Sequence, residues 1–163
     1  MLKEKKALEI LSKRGLTLAV AESCTGGLLA NRITNIPGSS QVFLSGIIAY
    51  SNEAKNRLLK IPESVIQAKG AVSYETAKLM AVNIAKLSGA AIAIAITGIA
   101  GPTGGSKAKP VGTVFIALAS GKKAIAQKFH FSGNRLQIKR KTTEKALDML
   151  LKFIRCGHLS RLS

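Results

Sequence analysis

The run Ala91-Ile92-Ala93-Ile94-Ala95-Ile96 is apolar at every position, so neither face of a strand formed there can look at water. Such a strand belongs in the middle of a sheet, with helices on both sides. Alanine alternates with isoleucine, which leaves one face thin enough for a helix to approach closely. Residues 16–21 are also apolar and partly β-branched, and they pass into Glu22-Ser23-Cys24-Thr25-Gly26-Gly27 before a helical rhythm begins at Leu28, Leu29, Arg32 and Ile33. Two strands that each end in polar residues and glycine predict an open α/β fold whose ligands bind at the strands' carboxyl edge.

The remaining segments supply the layers. Residues 2–14 read as a helix with Leu8 and Leu11 inward, stopped by Gly15. A helix is expected over about 25–35, then a loop at Pro37-Gly38, then a strand over 42–50 in which Gly46 marks a bulge or a close backbone approach. Ser51 suits the cap of a helix holding Glu53, Lys55, Leu58 and Leu59. Residues 63–69 form a short helix, and Ser73 opens a longer one whose Ala77, Met80, Ala81, Ile84 and Leu87 recur at helical offsets. Residues 111–119 and 124–131 pair as a hairpin through Ser120-Gly121-Lys122-Lys123, so at least one strand pair is antiparallel. Ser132-Gly133-Asn134 starts a last helix with Leu147, Leu150, Leu151 and Ile154 as its core stripe and Lys141, Lys145, Asp148 and Lys152 on its solvated face. With 163 residues and no linker or repeat, the chain is expected to form one domain over 1–163.

The turn after the first strand is where chemistry is most readily placed. Ser23 and Cys24 are potential nucleophiles beside the unpaired N–H groups of a helix's first turn, which can stabilise an oxyanion. The same residues also read as structure, with Ser23 or Thr25 capping the helix and Gly26-Gly27 letting it pack closely. Lys55 falls in the first turn of its helix, where the positive helix end disfavours an ammonium, although as a lone lysine it also reads as a surface residue. The loop Gly98-Ile99-Ala100-Gly101-Pro102-Thr103-Gly104-Gly105-Ser106 is either a nest of main-chain N–H groups for an anion or a plain flexible connection. It is no dinucleotide fingerprint, because a strand follows it where a helix should begin. Cys24 and Cys156 make no CxxC site, and His130 and His158 have no ligand neighbours, so no metal site is expected.

The formal charge of +17 favours polyanions and phosphorylated ligands by long-range attraction, and it also fits a plain solvated basic surface. Aromatic residues make up only 4% and there is no Trp, so the stacking platform of a single-strand binder is missing. No apolar run reaches the length of a membrane span, and the charged start of the chain is not followed by a secretory apolar segment. A cytoplasmic protein without a membrane partner is expected.

Ala21-Glu22-Ser23-Cys24-Thr25-Gly26-Gly27, 46–55, Gly70-Ala71-Val72-Ser73, Thr97-Gly98-Ile99-Ala100-Gly101-Pro102 with Gly104-Gly105, 109–114 and Phe131-Ser132-Gly133 occur in this order across nearly the whole chain. In that set the chain resembles the C-terminal domain of the CinA (competence/damage-inducible) family. Stand-alone members of the family are nicotinamide-nucleotide amidohydrolases, which turn nicotinamide mononucleotide and water into nicotinate mononucleotide and ammonia in pyridine-nucleotide salvage. The resemblance implies a three-layer α/β/α sandwich with a mixed sheet, in agreement with the pattern of strands and hairpin. It implies catalytic roles for Ser23 as nucleophile and Lys55 as base, with Tyr50 and Thr97 in the same pocket and Tyr50 relaying or orienting a proton. Substrate contacts would come from Cys24, Thr25, Gly26 and Gly27 near the oxyanion and from Gly98, Gly101, Gly104 and Gly105 along the nucleotide. Arg135 is the candidate cation for the phosphate. No cofactor or metal enters this scheme.

In two respects the chain departs from the family pattern. The larger N-terminal domain of fused members is absent from it, so the activities of that half are not carried over. Thr103 stands where the family often has Gly or Asp. Two other readings stay open: Cys24 as the nucleophile through a thiol pKa lowered at a helix end, and a non-catalytic nucleic-acid- or nucleotide-binding protein built around Lys139-Arg140-Lys141. Nucleic acid is not the expected partner of the first reading. A homo-oligomer is expected, through an isologous contact of the basic last helix or of an exposed strand edge.

Overall fold

The computed structural model describes residues 1–155; the readings made at Cys156 and His158 lie outside them. In chain order the elements are α1 (Lys3–Lys13), β1 (Leu18–Glu22), α2 (Leu28–Thr34), a 3-10 turn (Ser39–Gln41), β2 (Phe43–Ile48), α3 (Asn52–Leu59), α4 (Glu63–Lys69), α5 (Tyr74–Ser88), β3 (Ile92–Gly98), β4 (Thr113–Ser120), β5 (Lys123–His130) and α6 (Arg135–Arg155). The strands form one mixed sheet in the order β2-β1-β3-β4-β5. β1 is parallel to both β2 and β3, whereas β4 is antiparallel to β3 and to β5. The hairpin turns at Gly121-Lys122, with Ser120 paired to Lys123.

Alternation along the inner strands decides which layer packs where. Leu18 and Val20 of β1, Ile92, Ile94 and Ile96 of β3, and Val114, Ile116 and Leu118 of β4 share a core with α1, α2 and α6. The opposite face presents Ala19, Ala21, Ala93, Ala95, Phe115, Ala117 and Ala119 to Ala77, Met80, Ala81, Ile84 and Ala85 of α5, with Leu59, Ile61 and Ile66 beside them. The alanine face therefore does what the sequence pattern predicts: it lets α5 lie close against the sheet. Leu87 is a correction to the predicted inner face of this helix, because it is 52% exposed in the last turn, where Ala81, Ile84 and Ala85 already cover the sheet. Gly46 marks a close approach; a Cβ there would sit 3.2–3.4 Å from Phe43, Val20 and Ala30.

The chain passes from β1 through α2 to β2 on one side, then returns through α3, α4 and α5 to β3 on the other. The carboxyl ends of three parallel strands thus meet at one edge, with β1 at the point where the connections diverge, a natural ligand crevice. Among the described residues, no helix is long and apolar enough to cross a membrane.

Replacing Ala95→Leu should overpack the contact with α5 and cost about 1–3 kcal/mol, whereas Ile94→Val on the roomier face should cost about 0.5–1.5 kcal/mol. Urea unfolding midpoints of the two variants measure the difference.

Candidate active site

β1 ends at Glu22, and the alternation of the strand sends Glu22 and Ser23 to opposite faces. The Glu22 carboxylate accepts the N–H groups of Gly27, Leu29 and Ala30 at 3.2, 3.1 and 2.8 Å. It is this side chain that satisfies the start of α2, and neither Ser23 nor Thr25 caps it. Gly27 itself occupies the cap position at φ 91°, a conformation that favours glycine, and makes no side-chain capping bond. The Ser23 hydroxyl is thereby left for other use, while its N–H donates to the Ile96 carbonyl at 3.0 Å and ties the turn to β3.

Lys55 enters from the other side. The Ser51 hydroxyl caps α3 by accepting the Ala54 N–H at 2.9 Å, and one turn in, the Lys55 side chain runs inward and is only 2% exposed. Its Nζ lies 2.9 Å from Ser23 Oγ, 3.1 Å from the Ala49 carbonyl and 3.2 Å from the Tyr50 carbonyl. No carboxylate pairs with it among the described residues. Burial lowers its pKa from the ordinary lysine value, with only the neighbouring Cys24 opposing. Nζ is placed to donate to all three oxygens. On losing a proton the amine can keep its two N–H bonds to the Ala49 and Tyr50 carbonyls, which only accept, and its lone pair can then take the Ser23 hydroxyl as donor. The exposed-surface reading of Lys55 is overturned by this burial.

Ser23, Cys24, Tyr50, Gly98, Ile99, Ala100, Gly101, Thr103, Gly104 and Arg135 line a cavity of about 220 Å³ at the carboxyl edge of the sheet. Arg135 donates to the Gly101 carbonyl at 2.6 Å and to the Tyr50 hydroxyl at 2.5 Å, bridging the glycine loop and the end of β2 across the cavity. Tyr50 is 57% exposed, with its hydroxyl at the rim and its carbonyl on Lys55. Cys24 packs into the α2 core, and burial pushes its thiol up to about 12, opposite to the shift a helix end alone would give.

Other expected residues stand back from the cavity. The Thr97 hydroxyl donates to the Ala71 carbonyl at 2.7 Å and anchors the chain entering α5. Gly26 N–H is taken by the Ser23 carbonyl and Gly27 N–H by the Glu22 carboxylate, while the Cys24 N–H lies against its own thiol. Thr25 is fully buried, and its Oγ1 has no partner among the described residues. Gly105 packs against the returning chain, where a Cβ would meet the Val111 N at 2.8 Å.

One tie at the site has no sequence signature, and one capping contact does. Lys109 reaches back to the carbonyls of Val72 at 2.6 Å and Lys69 at 3.3 Å and pins the glycine loop to the start of α5. The carboxylate of Glu22 could have been assigned to α2 from strand alternation alone.

Fold and site together define a three-layer α/β protein with a buried serine–lysine pair beside a glycine-lined cavity. The chain belongs to the CinA C-terminal domain family, whose profile matches residues 2–154. It is 52% identical over 143 residues to a CinA-like protein of Geotalea uraniireducens, covering 88% of this chain and 34% of that one. It is 50% identical over 149 residues to a CinA-like protein of Syntrophus aciditrophicus, covering 91% and 36%. The chain thus spans little more than a third of the length of the curated relatives it matches. Among solved structures, a competence/damage-inducible protein of Agrobacterium tumefaciens superposes with a TM-score of 0.89 at 38% identity, covering 92% of each chain. A CinA superfamily protein of Klebsiella pneumoniae gives 0.90 at 30% identity, covering 95% of this chain and 99% of that one.

Between the lowered folded pKa of Lys55 and its ordinary value of 10.5, the unfolded chain holds a proton that the folded chain does not. Stability should therefore rise with pH through that window and be least below it. Lys55→Met should flatten this rise, as read by urea unfolding at a series of neutral to mildly alkaline pH values.

Proposed function

We propose that the chain is an amidohydrolase that converts nicotinamide mononucleotide and water to nicotinate mononucleotide and ammonia. The observation that carries this reading is the 2.9 Å contact between Lys55 Nζ and Ser23 Oγ, with two carbonyls occupying the other faces of the amine. The substrate class is carried over from stand-alone members of the family that the chain resembles.

Ser23 Oγ attacks the carboxamide carbon as its proton passes to Lys55 Nζ. The main-chain N–H of Cys24, a residue that lines the cavity, serves the developing oxyanion. When the C–N bond breaks, the Lys55 ammonium returns its proton to the departing nitrogen, which leaves as ammonia. Water then attacks the acyl-serine, Lys55 takes its proton, and nicotinate mononucleotide departs as Ser23 recovers its hydrogen. Arg135 at the cavity rim and the N–H groups of the glycine loop serve the phosphate. Tyr50 acts through its carbonyl on Lys55 and through its hydroxyl beside Arg135.

Incubation with nicotinamide mononucleotide should release ammonia and nicotinate mononucleotide in equal amounts. Ser23→Ala and Lys55→Ala should each lose on the order of 10²–10⁴-fold in kcat, and Lys55→Arg should not rescue, because a guanidinium stays protonated. Cys24→Ala should retain turnover. Activity should fall as pH drops through the lowered Lys55 pKa. Absence of product from folded wild-type protein, or full activity in Lys55→Ala, would overturn the reading.

A further inference from the structure

The fold divides the three cations of Lys139-Arg140-Lys141. Lys141 donates to the Ser132 carbonyl at 2.7 Å, and Arg140 stands in an open hollow with Arg32 and Glu144. Lys139 instead lies half-buried against the turn that carries Ser23: a Cβ at Gly26 would sit 3.5 Å from its Nζ, and its charge is felt at Cys24. Among the described residues no hydrogen bond or ion pair engages this ammonium. Lys139 follows Arg135 by one turn of α6, so the two share a helix face with about 5–6 Å between their Cβ atoms. Arg135 reaches the glycine loop and Tyr50 on one bank of the cavity, and Lys139 reaches the nucleophile turn on the other. The start of α6 thus carries two cations along the cavity mouth.

The cavity measures about 220 Å³, below the roughly 300–1,000 Å³ that encloses a whole ligand of drug size. It has room for an amide-bearing ring beside Ser23, and the far end of a nucleotide then lies at the mouth. We infer that Lys139 is a specificity-determining residue of this site: as a second cation beside Arg135, it selects amides that end in a phosphate over unphosphorylated ones. The inference rests on the amidohydrolase reading for the identity of the amide. A phosphate monoester carries about −1.5 to −2 charge at neutral pH, more than one guanidinium balances. Arg135 already directs two N–H groups to Gly101 and Tyr50, whereas the Lys139 ammonium has three donors to offer a ligand. The two cations also differ usefully in shape, since a guanidinium fixes oxygens in its plane and an ammonium follows another from the opposite bank as a point charge. Glu22, the carboxylate next to that turn, is occupied by the N–H groups of Gly27, Leu29 and Ala30 and leaves the charge of Lys139 uncancelled.

Titration calorimetry in a Ser23→Ala background, which removes turnover from the measurement, compares nicotinamide mononucleotide with nicotinamide riboside, the same amide without its phosphate. The nucleotide should bind more tightly, and adding Lys139→Met should lower that preference, read as the ratio of the two Kd values, by about 10–100-fold. Lys139→Arg should keep most of the preference. Lys86→Met, which removes an exposed charge from the end of α5 remote from the site, should leave the ratio unchanged. A Ser23→Ala chain that binds the nucleotide no better than the riboside overturns the inference. So does a ratio unmoved by Lys139→Met, or an affinity lost equally for both ligands, which would make Lys139 a support of the turn. Turnover by the wild-type chain with an unmoved ratio sinks this inference alone. A ratio that falls without any turnover by the wild-type chain sinks the hydrolase reading and leaves the phosphate contact standing.

Discussion

Everything at the candidate site depends on a lysine amine that is out of water and has no acid to pair with. The molecule has few carboxylates, and most are engaged elsewhere. Glu4 and Glu144 hold Arg32, Glu144 and Asp148 hold Lys3, and Glu53 and Glu75 pair with Arg57 and Lys69. Glu22 is the residue immediately before Ser23, and strand alternation turns its carboxylate to the start of α2. A carboxylate on the Lys55 side would hold the proton on the amine and remove its capacity to accept one. The division of Glu22 and Ser23 between two faces of one strand thus leaves Lys55 without a carboxylate that would raise its pKa.

The sheet supplies the precision that such a contact needs. Ser23 is tied to β3 through Ile96, and Lys55 leaves a capped helix directly after β2. The two residues therefore come from adjoining strand ends of one rigid layer. Close packing of α5 on the alanine face brings the 69–73 segment near the strand ends, where Thr97 and Lys109 fasten to its carbonyls. The glycine loop is consequently held at both its entry and its return, and Arg135 ties its middle to Tyr50.

Much of this architecture is legible in residue order. The Ala/Ile alternation of 91–96 specifies a central strand and even which face a helix approaches, because the side-chain period of a strand is fixed. Ser51 and Ser73 announce their helices and do cap them. The polar turn at 22–27 is visible as a site, but its internal assignment is not. Ser23 and Thr25 have the chemistry of caps, and only the direction of Glu22 in space shows that the cap lies elsewhere. Cys24 illustrates competing terms: its place beside a helix end argues for a thiolate, and the apolar packing around it argues more strongly against one. Leu87 fits the helical period yet sits beyond the sheet it would cover. Long-range ties such as Lys109 to Val72 have no local signature, since both partners are ordinary loop residues.

The order Glu22, Ser23, Cys24 separates two duties with unusual economy. The carboxylate caps α2 and the thiol packs into its core, while among the described residues the hydroxyl between them pairs with Lys55 beside the cavity. A lineage that lost the hydroxyl would lose no cap, no core contact and no strand pairing. Loss of the hydroxyl would therefore leave the scaffold standing, so resemblance of fold alone does not report whether a relative keeps the Ser23–Lys55 contact.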